Sequence, residues 1–329
     1  MSIYALGVPL GGMFAAIFGG FIAGNITGDN AEALFRAWGW TFAVNAVDWS
    51  QIEGWRIAFV MVGLPGLLVS LIVKLTVREP ARGHSDPVAL QGMAKAGFGE
   101  AFRVLMSKPT YWHITLGATI ASFVGYGVGQ FTTSFLIRTH GLTIQQASLL
   151  FGIILGVMAA IGVFTSGFLA DKVAKRHPTA LSWIPALGML LSVPFYLIGY
   201  SASNLWIAYL GPMYAVAGGV VDSRMRATAV AITLFVVNLL GYGLGPPVIG
   251  ILSSVLKSVV LSGADLGLTL DACKAVAELN AAELAACSNA NAKGLQWSIL
   301  IFSCGYAWAA LHYLLAGKTL LRDMLAKAS

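Results

Sequence analysis

Charge is what this sequence has least of. Of its 329 residues only 10% are Asp, Glu, Lys or Arg, whereas 57% are hydrophobic. A water-facing globular surface needs roughly a quarter of its residues charged, so a soluble domain is excluded. Acidic residues are fewer than basic ones, 14 against 20, and none lies inside the long apolar blocks. Cysteine is nearly absent. Three residues with no CxxC pair leave no thiolate metal cluster and no redox motif. HxxxxD, GxSxG and HExxH arrangements are missing too, which removes common acyltransferase, hydrolase and zinc-protease layouts. The expectation is therefore a non-enzyme without cofactor or metal. A pore loop or ring-forming selectivity segment is also lacking, which counts against a channel. The first residues lack the basic lead-in of a signal peptide.

What is present is a series of apolar runs of the length that crosses a bilayer as a helix. Spans are expected near 3–24, 55–76, 111–137, 146–170, 180–200, 205–221, 227–256 and 295–317, eight in all. The sixth is short and the seventh long. Residues 25–54 bring Trp38, Trp40 and Trp49 to a membrane interface, and 257–294 reads as an Ala-rich loop.

Eight spans put alternate loops on opposite sides. One set (74–109, 171–178, 222–226 and the tail after 317) holds 14 of the 20 Lys and Arg. The other six are Arg36, Arg56, Arg138, Lys257, Lys274 and Lys293. The positive-inside rule assigns the richer set to the cytoplasm, with both termini, and the natural setting is a bacterial inner (plasma) membrane. This asymmetry explains the net charge of +6 without a nucleic-acid partner.

The widest cytoplasmic segment, 78–109, opens with Arg78-Glu79-Pro80, and Pro stops a helix. From Met93 to Met106 it becomes amphipathic, with Lys95 and Arg103 interleaved among Ala96, Phe98, Phe102 and Leu105. Such a helix lies along a membrane face; docking on a soluble partner is the alternative.

Candidate functional residues fall into four groups. Ser122, Tyr126, Gln130 and Ser134 recur every four residues in the third span, a polar stripe on an otherwise apolar helix. Tyr214 and Asn238 add polar groups in the sixth and seventh spans, and Tyr242 follows Asn238. The stripe suits a mostly apolar ligand with a polar head; interhelical hydrogen bonding is the competing reading. After the fourth span comes Gly167-Phe-Leu-Ala-Asp171-Lys172-Val-Ala-Lys175-Arg176, where Asp171 can cap a neighbouring helix start. Pairs at GxxxG spacing, including Gly7/Gly11, Gly20/Gly24, Gly125/Gly129, Gly152/Gly156 and Gly241/Gly245, let helix backbones touch. Finally, Cys273 and Cys287 share the outer loop. One straight helix would hold them about 21 Å apart, so a disulfide requires a hairpin, with Asn280 as its turn; free thiols are the alternative. His113 and His312 are the imidazoles at membrane depth, each read as interfacial or packed.

The Gly167–Arg176 pattern resembles the loop signature of the major facilitator superfamily. Gly54-Trp55-Arg56-Ile57-Ala58-Phe59, leading to Val77-Arg78-Glu79-Pro80, looks like that family's sixth helix and its exit. Ser134 to Leu142, Arg224-Met225-Arg226-Ala227-Thr228-Ala229 and the Gly241–Gly250 run resemble its spinster-like branch, which in eukaryotes is linked to lysolipid and sphingoid export. The resemblance implies an all-α membrane protein whose eight helices are the family's fifth to twelfth, without the first four. The implied division is 1–77, the last two helices of an N-terminal bundle; 78–109, a linker; and 110–329, a complete six-helix C-terminal bundle. It further implies an alternating-access carrier of a small organic or lipid-like substrate. In that carrier the third span lines the central cavity. Gly7, Gly11, Gly241, Gly245 and Pro246 act in gating. Gly167, Asp171, Lys172, Arg176, Arg224 and Arg226 form a cytoplasmic latch. Ion-coupling acids are expected outside this chain. A non-transporting scaffold or degraded transporter fragment is the rival reading.

Overall fold

The computed structural model describes residues 6–26, 28–78, 98–219, 227–264, 266–275, 277 and 279–325. Among the described residues all regular structure is helical. The elements are α1 (Gly7–Asn25), α2 (Gly28–Ala37), α3 (Thr41–Ala46), α4 (Gly54–Thr76), α5 (Phe98–Met106), α6 (Pro109–His140) and α7 (Ile144–Ala174). They continue as α8 (Ala180–Ser201), α9 (Leu205–Gly219), α10 (Ala227–Val236, Val237–Tyr242 and Gly243–Ser262 end to end), α11 (Ala281–Ser303) and α12 (Gly305–Leu325). Seven described helical stretches are long and apolar enough to span a bilayer, with α11 and α12 together forming one of them; the sixth expected span, α9, is a shorter apolar helix.

Local chemistry sets the ends. Pro109 opens α6 at a position where its missing N–H costs nothing, and Gly141 closes it at φ +68°. Two residues on, Thr143 and Gln146 form a reciprocal capping box that starts α7. Asn280 and Glu283 do the same for α11. The carboxylate of Asp323, at the far end of α12, accepts from the Thr110 N–H (3.1 Å) and so covers the start of α6. Thr110 and Thr319 pair beside it at 2.7 Å.

Two expectations change here. Helix α7 runs unbroken through Asp171 and Lys172 to Ala174, because nothing stops it before the His177-Pro178 step; the Gly167 motif therefore occupies its last turns, with the turn itself following. Likewise the loop expected at 257–294 is shorter than that. Helix α10 persists to Ser262, and the Asn280 cap lets α11 begin at Ala281.

The packed centre consists of α6 against α12 and α10, α8 against α9 and α12, and α10 against α11. Its buried side chains include Phe135, Leu136, Tyr200, Ile249, Leu295 and Ile299. Helix α1 packs on α7 and on α4. A separate cluster on that side gathers Phe35, Trp49, Ile22 and Ile57, with Trp38 and Trp40 also ringing Phe35. Of the expected amphipathic segment 93–106, Phe98–Met106 is helical and the remainder lies outside the described residues, as do Arg224 and Arg226.

Candidate functional site

The lateral packing of α6, α7, α8, α9 and α12 leaves a cavity of about 510 Å³ between them. Small residues create the room. Ala118, Ala121, Gly125 and Gly129 on α6 leave one face of that helix nearly bare, and a Cβ on Gly129 would come no nearer than 4.0 Å to Phe151. Ile154, Leu155, Met189 and Val216 supply apolar wall. The polar groups are mostly phenols. Tyr196 and Tyr306 lie parallel with centroids 5.5 Å apart, Tyr200 pairs its hydroxyl with Thr132 at 2.7 Å, and Tyr126 meets Tyr242 at 4.4 Å. Tyr200 is also held from behind, because its carbonyl accepts from Gln296 (2.8 Å) and its ring packs edge-on against Phe135. Fixed rings around a space of this size make a site for a flat or extended apolar body, with hydroxyl and amide groups for a polar end.

Of the expected polar residues, Ser122, Tyr126 and Gln130 line this cavity. Ser134, Tyr214 and Asn238 do not. The reason at Ser134 is helical drift. A four-residue step turns about 400°, so the stripe rotates about 40° at each repeat and Ser134 sits roughly 120° from Ser122. Tyr214 is exposed and its ring lies tilted against Phe195, outside the cavity lining. Asn238 is exposed in the π-helical stretch of α10 and donates to the Leu234 carbonyl at 2.7 Å. Tyr196, Tyr200, Tyr306 and Tyr313 were not singled out by the sequence reading. Their signal is tyrosine recurring on apolar helices, which is also how ordinary membrane-interface aromatics look.

The glycine pairs divide. A Cβ on Gly241 would lie 2.8 Å from that of Ser122, and one on Gly245 would lie 2.4 Å from the Phe123 carbonyl, so α10 crosses α6 backbone to backbone. Gly20 and Gly156 are equally tight across the α1–α7 seam, meeting Ser148 and Met13. Gly7 and Gly11 touch nothing among the described residues, because the contact face of α1 carries Gly12, Gly20 and Gly24 instead. Pro246 sits within α10, just past the π-helical stretch Val237–Tyr242. In the Gly167 motif, Gly167 is open and Lys172 and Arg176 are exposed; the Asp171 side chain lies outside what is described.

Cys273 is bonded to Cys287, with Cα atoms 5.6 Å apart. The bond ties the 263–280 loop to the first turns of α11, over a small apolar cluster of Leu261, Leu268, Leu270 and Ala290.

Comparison with known proteins gives a consistent picture. The Major Facilitator Superfamily model matches residues 1–246. A crystal structure of a bacterial homolog to the human lysosomal transporter spinster, inward-facing and unoccupied, matches with a TM-score of 0.80 and 36% identity, over 98% of this chain and 71% of that one. An MFS-type efflux pump of Mycolicibacterium smegmatis is 29% identical over 63% of this chain and 50% of its own length. Protein spinster homolog 3 of Danio rerio is 27% identical over 78% of this chain and 51% of its own. The chain thus spans about half the length of these curated relatives. It is an integral, multi-pass membrane protein, and it belongs to the Major Facilitator Superfamily of membrane transporters, with its likeness on the spinster side.

Proposed function

We propose that this chain forms the C-terminal bundle and part of the N-terminal bundle of an alternating-access carrier for a small amphipathic or lipid-like molecule. The observation that carries this reading is the cavity between α6, α7, α8, α9 and α12, walled by aliphatic groups and phenols and bearing Ser122, Tyr126 and Gln130. An apolar body gains from leaving water for such walls, while a polar head finds the Gln130 amide and the Tyr126 hydroxyl. Among the described residues that line it none is formally charged, and what they offer a polar head is hydrogen bonds.

In this reading residues 1–77, 78–109 and 110–329 are the end of one bundle, a linker and the second bundle. The bundles rock across the α1–α7 seam, where Gly20, Gly152 and Gly156 allow close sliding. The π-helical stretches of α7 and α10 sit at the joints that bend, because a π turn leaves its helical hydrogen bonding locally adaptable; Gly241, Gly245 and Pro246 serve α10 there. On the cytoplasmic face Asp171, Lys172 and Arg176, with Arg224 and Arg226, form a latch when that side closes. The setting is a bacterial inner membrane with both termini inside. Coupling to an ion belongs to residues beyond those lining this cavity.

The test is binding of a fluorescent lysophospholipid to the purified chain in lipid nanodiscs. Gly129→Leu fills the cavity without touching the α6–α10 crossing, and binding is expected to fall at least about tenfold with an unchanged elution profile. Equal affinity in Gly129→Leu and the original chain would remove the cavity from the account.

A further inference from the structure

We propose that His113 and His312 form a shared-proton site that pins the cytoplasmic end of α6 to α12 and releases when a second proton binds. Their Nδ1 atoms face each other at 3.1 Å across the two helices, with ring centroids 5.4 Å apart. His113 lies one turn into α6, and the Thr110, Thr319 and Asp323 contacts lie on the same side. The proposal stands whether or not the cavity binds substrate, since neither ring lines it.

The proton count follows from the donor inventory of imidazole. With both rings neutral, one Nδ1 carries hydrogen and the other offers its lone pair, so a hydrogen bond forms. Adding one proton keeps that geometry: an imidazolium donates to a neutral partner, and the bond becomes charge-assisted and stronger. The second proton leaves two Nδ1–H groups aimed at each other, each on a cation, and the contact turns repulsive. The pair therefore holds with no added proton or one, and breaks with two.

Among the described residues, charged and titratable groups on the helices packed around the pair are few. Helix α8, packed on α12, has no charged residue between Ala180 and Ser201. On the described part of α10 the charged residue is Lys257, and on α11 Glu283 and Lys293, all toward the outer end. Thr233 of α10 faces the Tyr111 hydroxyl and Thr115. Tyr313 on α12 is buried against Gly117, and Arg103 lies on α5 outside the start of α6. Along α12 itself Lys318, Arg322 and Asp323 follow His312 by six to eleven residues, roughly 9 to 16 Å at 1.5 Å per residue. Arg322 and Asp323 are engaged with each other. Lys108 caps the start of α6 five residues before His113, about 7.5 Å along the axis, and the Trp308 ring lies tilted beside His312 with centroids 6.2 Å apart.

Histidine-selective ¹⁵N NMR of the chain in nanodiscs, titrated from about pH 8 to pH 4, tests this. The expected result is a ¹⁵N–¹⁵N coupling across the Nδ1···Nδ1 hydrogen bond. It should persist through the first protonation and vanish with the second. In His113→Gln the coupling is absent and His312 titrates in one step; His312→Gln gives the mirror result for His113 and serves if the first variant does not fold. Two rings that titrate singly, at the midpoints seen in the single variants and without coupling, would overturn the proposal.

Discussion

Helices α4 and α6 are both long and apolar enough to cross a membrane, yet their surroundings are opposite. On α4 the buried residue is Ile57, and Leu67, Leu68, Ile72 and Leu75 all stand exposed. On α6 eleven residues are buried, among them Gly117, Gly127, Thr119 and Thr132. The more apolar helix is the less packed. In lipid, Leu and Val gain little by leaving the membrane for a protein interior, so apolar residues do not mark the packed face; small residues and hydroxyls do. Helix α6 carries Gly, Ala, Ser and Thr along its contacts with α10 and α12, whereas α4 points long aliphatic side chains away from the other described helices.

That contrast breaks most sharply at glycine. Gly245→Leu drives a side chain into the Phe123 carbonyl and the Gly127 backbone. We expect a loss of about 3 kcal/mol or more, seen as aggregation or early melting in detergent, while Gly11→Leu on α1 leaves the melting curve unchanged. Next, Ile299→Ala opens a hole beside Phe135 and Ile249, with an expected cost of about 3 kcal/mol; Leu67→Ala on α4 should cost under about 0.5 kcal/mol by the same denaturation measurement. Opening the Cys273–Cys287 bond by Cys273→Ser/Cys287→Ser removes a closed loop worth about 2 kcal/mol. Hydrogen exchange should then rise in 263–280 while α6 stays protected. The smallest effect sharpens the polar side of the comparison. Thr132→Val removes the hydroxyl that pairs with Tyr200 and should cost about 0.6 kcal/mol, the usual scale for such bonds in membranes.

The elements were largely legible because a helix must satisfy its backbone within the bilayer, and runs near 20 residues therefore mark the crossings. Ends were less so. The capping box at Asn280 looked like a loop because Ala281–Asn291 is polar for a span, yet its Ala content and Glu283 favour helix. The cavity was half legible. The stripe at Ser122, Tyr126 and Gln130 holds for two turns, then drifts off the face by Ser134. The tyrosines of α8 and α12 were invisible as a group, because residues 196, 200, 306 and 313 meet only through tertiary packing. The same holds for His113 and His312, separated by 199 positions in sequence and 3.1 Å in space.

The account turns on the cavity face of α6 being open to water while α4 is not, and cysteine labelling measures this directly. In a Cys304→Ala background, Gln130→Cys and Leu67→Cys are each treated with a membrane-impermeant maleimide in nanodiscs. Both positions lie within apolar spans, and both are exposed in the protein itself. Rapid labelling at Gln130→Cys with none at Leu67→Cys is the result expected of a water-filled cavity beside a lipid-facing helix. Labelling at Leu67→Cys and protection at Gln130→Cys would contradict it.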